Sequence, residues 1–480
     1  MSCRWRLLLR SCLAASVLCL QIEAQTNLAI SEPSTRQTAA PQPDVQKLTL
    51  SSAIDSAEAN YPRIRAALEQ RNSAQAAIGV ARSAYYPRAD LLWQTNRATA
   101  NNIYGLLPPQ SVIPSISGPV IASDDTRSAW SSAGGTLISW QPFDFGLRGA
   151  QVNAARQGAQ VANAGLALTK LDVAALTANA YFDLAAAEQL ATTAQANVDR
   201  LQVFAKAVHV LVDNQLRPGA DAAQADAQSA LARTQLIQAQ TGVEVRRATL
   251  GELVGSPKVE VDYARLLAPA PSEPASAVSI ASHPAAQREA AVVNQQLARL
   301  SALTHSYVPQ FNALASLSGR GAGTDLKGNF PGGTNGLGPD TMNWAAGVQM
   351  TFPAFDFFRL RAEKKVQAAT VRAEQANYAQ VVDDLSAGVQ QAQAQLAGAQ
   401  QTALNTPVEL SAAQQSETQQ RARFQAGLAT VVDVAASESV LVQAEADDAL
   451  ARLNVWRAMA AVAVARGDLG PFLTELAAQP

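Results

Sequence analysis

The sequence predicts a mainly helical fold, duplicated in tandem, with a small β-portion suited to a membrane. Three observations carry that reading. The chain repeats itself: Tyr61-Pro62 and Tyr86-Pro87 recur as His283-Pro284 and Val308-Pro309 at a shift of 222 residues. Phe143-Asp144-Phe145, Asp221 and Gly255 recur as Phe355-Asp356-Phe357, Asp433 and Gly467 at a shift of 212. Each half also holds two stretches in which apolar residues alternate with small or polar ones. Finally, Pro142 and Pro353 each close such a stretch and open a helical run of about 70 residues, roughly 105 Å at the rise of an α-helix. The shift narrows from 222 to 212 because the first inter-strand loop is longer, and loops absorb such change.

Composition fits this organisation. At 480 residues two structural halves are expected rather than one core. A formal charge of −2 leaves no basic footprint for nucleic acid, and 48% apolar residues exclude a disordered low-complexity chain. Charged residues are only 16%, and abundant Ala and Gln suit long helices packed through small side chains.

Residues 1–24 read as an export signal, with Arg4, Arg6 and Arg10 ahead of an apolar stretch from Leu7 to Leu20 and a small-residue site at Ile22-Glu23-Ala24. Cys3, Cys12 and Cys19 all lie inside it, so the mature chain is expected to have no thiol, disulfide or cysteine metal site. A lipid-anchored start at Cys19 is opposed by the bulky Leu18 before it. After the signal no uninterrupted apolar run of about 18 residues follows, so strands are expected to make any membrane crossing.

Residues 25–47, rich in Ser, Thr, Pro and Gln, read as a flexible start. A first repeat over 48–255 begins with a helix over 48–86, capped by Thr49 or Ser51. Strands follow at about 88–97, with Ala89, Leu91, Trp93 and Thr95 on one face, and at 128–141, with Trp130, Ile138 and Trp140 on one face. The long helix then runs to a tip at about 213–221 and a returning helix. A proline-rich crossing over 256–274 leads to the second repeat, 275–467, which repeats the plan. Its strands lie at about 309–319 (Phe311, Ala313, Ala315, Leu317) and 341–352 (Met342, Trp344, Ala346, Val348, Met350, Phe352), and its tip at about 424–433. Residues 468–480 read as a tail. The glycine-rich loops 105–126 and 319–340, including Gly319-Arg320-Gly321-Ala322-Gly323, are expected to face solvent.

This plan resembles the TolC-type outer-membrane efflux family, also called outer membrane factors, over nearly the whole mature chain. The tandem halves, the strand-bounding prolines, Phe355-Asp356 and above all Gly427-Leu428-Ala429-Thr430-Val431-Val432-Asp433-Val434 carry the resemblance. That run is similar to the family's tip signature, Gly-Leu-x-Ser/Thr-x-x-Asp-Val. Its glycine permits the reversal, and its Thr or Asp can cap the returning helix. The first-half counterpart, Gln215-Leu216-Arg217-Pro218-Gly219-Ala220-Asp221-Ala222, keeps only the Leu and the Asp.

The resemblance implies an exit duct of a tripartite efflux or type I secretion system. Three copies give four strands each to a twelve-stranded barrel in the outer-membrane lipid, continued by a periplasmic helical barrel. Its partners are a periplasmic adaptor and an inner-membrane pump of RND, ABC or MFS type, and it needs no cofactor. A four-stranded sheet cannot close around a pore alone, which also asks for a homotrimer. The implied adaptor-docking tip residues are Leu216, Gly219, Asp221, Gly427, Leu428, Thr430 and Asp433. The implied membrane-interface aromatics are Trp93, Trp130, Trp140, Trp344 and Phe352.

No catalytic constellation emerges. His209, His283 and His305 stand apart, without a second ligand at metal spacing, and no Gly-x-Ser-x-Gly elbow is present, so an enzyme is not expected. An acidic entrance gate is also not indicated, since no carboxylate lies between Glu417 and Asp433. The competing reading is an exported periplasmic coiled-coil scaffold or adaptor without a pore. It shares the helices and the signal but gives no reason for four alternating strands.

Overall fold

The computed structural model describes residues 47–99, 128–268, 279–323 and 333–478, with residues 96, 98 and 99 by backbone alone. The expected export signal, most of the flexible start, the loop at 105–126 and the linker prolines Pro269, Pro271 and Pro274 lie outside the described residues.

The elements run β1 (Lys47–Leu48), α1 (Leu50–Asn60), α2 (Pro62–Ser83), β2 (Arg88–Thr99), β3 (Ser128–Phe143), α3 (Leu147–Asp213), α4 (Gly219–Val254) and β4 (Glu260–Val261). After them come α5 (Pro284–Thr304), β5 (Gln310–Ala322), β6 (Thr341–Thr351), α6 (Phe357–Gln425), α7 (Val431–Arg466) and α8 (Gly470–Ala478). The strands β2, β3, β5 and β6 form one antiparallel sheet in the order β2-β3-β5-β6, while β1 and β4 pair in parallel. At 67 and 69 residues, α3 and α6 are each about 100 Å long.

Proline chemistry corrects the first expected helix. Residues 48–86 form two helices, not one, because Tyr61 is extended (φ −67°, ψ 124°) ahead of Pro62, which takes the first helical position of α2. Thr49 is the cap of α1, its hydroxyl accepting from Ser52 N at 3.3 Å. In the second half the leading helix, expected by the same plan over about 275–308, is shorter. Among the described residues α5 forms behind a 3₁₀ turn at Ile280–Ser282, because Pro284 again sets the start and His283 caps it. Pro407 lies inside α6 without ending it.

Two further expectations change. The glycine-rich stretch from Gly319 is not loop: β5 continues to Ala322, pairing with Ser131–Gly134 of β3. Glycine is needed there for close approach, since a Cβ on Gly321 would lie 2.0 Å from Gly338 O. Residues 468–480, read as tail, include α8, whose Phe472 packs edge-on against the fully buried Trp456 with ring centroids 6.4 Å apart.

The main core lies midway along the long helices α3 and α6. It joins Leu50 and Ile54 of α1, Tyr181, Phe182 and Leu184 of α3, Leu250 of α4 and Trp456 of α7. The Tyr181 hydroxyl donates to Asp262 O (2.6 Å) and lies 3.1 Å from Leu48 O, holding the β1–β4 pair against α3, and burial pushes the phenol well above its usual range. By length and composition α3 is apolar enough to cross a membrane. In this fold α3 instead supplies Val173, Phe182 and Leu184 to helix packing.

Candidate functional site

Both tips are built by the same hydrogen bonds at a shift of 212. In the second, Ala426 N donates to Ala422 O, Gly427 N to Phe424 O and Leu428 N to Arg423 O. In the first, Asn214 N donates to Val210 O, Gln215 N to Val212 O and Leu216 N to Leu211 O. The reversal needs one left-handed residue, and Gly427 supplies it at φ 77°. The first tip places Gln215 there, at φ 59°, so the side chain bears the strain that glycine avoids. Gly219 does not serve the turn. It is the first residue of α4 and is exposed.

The tips differ in how the returning helix starts. Thr430 and Asp433 form a reciprocal capping box: Asp433 N donates to Thr430 Oγ1 (3.3 Å) and Thr430 N to Asp433 Oδ2 (2.8 Å). The bonds that Asp433 Oδ2 accepts from Thr430 N and from the Thr430 hydroxyl (2.8 Å) hold the carboxyl below the ordinary aspartate range. Pro218 takes the cap position in the first tip without a side-chain bond, and Asp221 instead faces Arg217 at 3.6 Å. Leu216 and Leu428 occupy matching positions and point outward, 69% and 71% exposed.

Behind the leucines, one apolar cluster ties the hairpins together through Phe204, Val208, Ala225, Phe424, Val431 and Val434. Above it an ionic cluster joins three helices. Glu438 of α7, 1% exposed, is bound by Arg200 of α3 and by Arg421 of α6 (3.3 Å), while Arg200 also holds Glu445 (2.9 Å) and Arg421 holds Glu417. Burial pushes the Glu438 carboxyl above its usual range, against the pull of Arg200 and Arg421. His209 and Asp226 link α3 to α4 at 2.9 Å. His283 caps the start of α5 and His305 its end, and among the described residues no cluster of metal-ligating groups forms.

At the other end, the register puts the alternating apolar residues of all four strands on one face, because opposed residues in an antiparallel pair share a face. Leu91 lies opposite Thr136, Thr136 opposite Leu317, and Leu317 opposite Trp344; Ala89, Ile138, Ala315 and Ala346 form the neighbouring row. Trp344 is 80% exposed, and Trp93 lies across Gly134, where a Cβ would meet its ring at 2.5 Å. Trp130 and Trp140 stand ten residues apart on this face of β3. Arg97 lies 5.2 Å from the Trp130 ring centroid, and Trp140 Nε1 donates to Tyr85 O at 3.0 Å. The opposite face carries Asp90, Gln94, Ser316, Asn343 and Gln349. Among the described residues both outer strands, β2 and β6, keep an unpaired edge.

The strand-to-helix junction is also fixed by side chains. Asp144 accepts from Gly146 N (3.2 Å), Arg148 N (2.6 Å) and Arg148 Nε (2.8 Å), and the Arg148 guanidinium sits 4.7 Å from the Tyr85 ring centroid. Burial alone would raise the Asp144 carboxyl, but the bonds from Arg148 and Gly146 outweigh it and hold it low. Phe352 meets Tyr307 (5.2 Å), Tyr307 meets Phe357 (6.1 Å) and Phe357 meets Phe358 (5.7 Å), while Phe355 is 94% exposed.

Residues 53–256 and 278–468 match the family model described as outer membrane efflux protein. The chain belongs to that family. This efflux channel also has the fold of solved outer-membrane channels. CmeC of Campylobacter jejuni superposes with a TM-score of 0.70 at 14% identity, covering 90% of this chain and 89% of that one. VceC of Vibrio cholerae gives 0.68 at 17% identity, covering 87% and 96%. The open state of MtrE from Neisseria gonorrhoeae gives 0.65 at 20%, covering 87% and 89%. No curated protein matches the chain significantly.

Membership decides between the readings left open by the sequence: the protein is an outer-membrane efflux channel with its helical portion in the periplasm, not a poreless scaffold and not an enzyme. Channels of the family are homotrimers that work with adaptors and inner-membrane pumps. Sequence reasoning missed the Arg200–Glu438–Arg421 cluster, since Arg200 lies more than 200 residues from the other two, and the exposed ring of Phe358 at the junction. Arg217 carries a contact between the tips that only the fold brings together, donating to Phe424 O at 3.1 Å.

Proposed function

We propose that three copies of this chain close their sheets into one twelve-stranded barrel whose continuous apolar face meets outer-membrane lipid, with Trp93, Trp130, Trp140, Trp344 and Phe352 near its two interfaces. The helical tips narrow the periplasmic entrance and dock a periplasmic adaptor through Leu216 and Leu428, shaped by Gly427, Thr430, Asp433 and Asp221. Gly219, at the exposed start of α4, lies beside them at the first tip. An inner-membrane pump of RND, ABC or MFS type drives substrate into the duct, and the pump, not this chain, selects drug efflux or type I secretion. One observation carries the reading: a four-stranded sheet with two unpaired edges and a row of exposed apolar residues on a single face. An open edge and an exposed apolar face are both costly in water, and a closed barrel in lipid removes both.

The test is conductance across a planar lipid bilayer with the detergent-extracted, signal-processed protein. Discrete channels from a heat-resistant trimer are expected. A folded monomer that stays soluble without detergent overturns the reading.

A further inference from the structure

Cations collect where the helices meet the sheet, although the whole chain has a formal charge of −2. Arg82 lies in the last turn of α2, Arg156 nine residues into α3, Arg299 five residues before the end of α5, and Arg361, Lys364 and Lys365 within the first nine residues of α6. At 1.5 Å per residue all six stand within about 14 Å of the junction. The carboxylates in the same helix turns are already taken. Asp144 is bound by Arg148, and Asp356 and Glu363 by Arg359, each at 2.8 Å; Asp90 at the start of β2 is bound by Arg88 at 3.0 Å. Among the described residues the six cations make no ion pair, and all are exposed except the half-buried Lys364.

Exposed rings share this layer. Tyr86, Phe355 and Phe358 are open to the surroundings, and the ring contacts from Phe352 through Tyr307 and Phe357 to Phe358 continue the apolar face of the sheet downward. Phe358, Arg361 and Lys365 follow at three and seven residues, so they lie on one face of α6. A water-filled duct would gain nothing from bare phenylalanines beside unpaired cations. The edge of a bilayer rewards both, rings at the headgroup level and cations against phosphate.

We propose that this collar binds the phosphate groups of phospholipids in the periplasmic leaflet of the outer membrane, with Arg299, Arg361 and Lys365 as its main contacts. The proposal rests on the barrel reading above, since the sheet must be in the membrane for the collar to reach headgroups.

Native mass spectrometry of the detergent-extracted full mature chain, titrated with phosphatidylglycerol or phosphatidylcholine, tests it. The unaltered protein should retain phosphatidylglycerol preferentially, and 1 M salt, where the Debye length is about 3 Å, should abolish the preference. A variant carrying Arg299→Gln, Arg361→Gln and Lys365→Gln should need at least roughly tenfold more phosphatidylglycerol for the same retention, since each interfacial cation adds to the attraction for anionic lipid. Lys206→Gln with Arg233→Gln, far from the junction, should change nothing. Equal retention by the triple variant, or a salt-insensitive preference in the unaltered protein, overturns the lipid site while bilayer conductance persists. A triple variant with altered ion selectivity and unchanged lipid retention places these cations in the duct and also overturns it. Failure of the unaltered protein to enter bilayers removes the barrel reading and the collar together.

Discussion

The guanidinium of Arg217, in the first tip, lies 4.6 Å from the ring centroid of Phe424 at the second, and its Nη2 donates to Phe424 O at 3.1 Å. One residue thus bridges the two hairpins that must separate if the entrance widens. A cation over a partly shielded ring contributes about 1 kcal/mol, and a charged donor to a carbonyl a comparable amount. Arg217→Ala should therefore raise the open fraction of single channels in planar bilayers several-fold, with little change in the conductance of the open state. An unchanged open fraction would mean that the tips are held by Phe204 and Val434 packing alone.

Backbone strain separates the two tips. Gln215 and Gly427 occupy the same position, at φ 59° and 77°. An L-residue in that region costs about 1–2 kcal/mol, of which glycine's extra chain entropy returns roughly half. Gln215→Gly should leave the first tip more stable by up to about 1 kcal/mol, whereas Gly427→Ala should weaken the second by about 1–2 kcal/mol. Thermal melting followed by proteolysis at the tips reads both signs; a stabilising Gly427→Ala would refute the strain account.

Much of this was legible in the chain because it is local. Strand alternation, the reversal at Gly427 and the cap at Thr430 depend on neighbours within a few residues, and the fold reproduces them. Contacts between distant segments were not legible. Arg200 and Glu438 are separated by 238 residues, and nothing near either one marks the other. Gly319 to Gly323 misled because glycine in a strand for close approach looks the same as glycine in a loop. Phe355 is legible as part of a repeated Phe-Asp motif but not as an exposed ring, and Phe358 carries no strand alternation to mark it, because both lie beyond the end of β6.

The tips should respond to pH in opposite senses. The His209 imidazole is raised by its hydrogen bond to Asp226 and by that charge. A raised base contributes stability that is complete below its unfolded value, near 6.5, and is lost as pH rises through the folded value. Asp433 is lowered by its bonds to Thr430, so its contribution is present above the unfolded value of about 3.8 and disappears as pH falls through the folded one. Amide exchange at the tips, corrected for intrinsic rate, should show the α3–α4 link of the first tip loosening as pH rises through the raised imidazole value, and the second tip loosening as pH falls through the lowered carboxyl value. Asp226→Asn should remove the first effect and Asp433→Asn the second. Persistence of either effect in its own variant would assign it elsewhere.

Ala345 and Ala346 are consecutive residues of β6 that face opposite ways, which allows one charge to probe both sides of the sheet. Ala346 lies opposite Ala315 in the apolar row, and Ala345 lies opposite Ser316 beside Asn343 and Gln349. Arginine on the lipid side near the middle of a barrel strand costs about 2–4 kcal/mol, while on the lumen side water can solvate it. Three copies per barrel triple the lipid-side cost. Ala346→Arg should therefore nearly abolish heat-resistant oligomer in the outer-membrane fraction, and Ala345→Arg should assemble normally and shift the channel toward anions. If the two variants assembled equally well, the face assigned here to lipid would be wrong, and the sheet would have to bury its apolar row against protein.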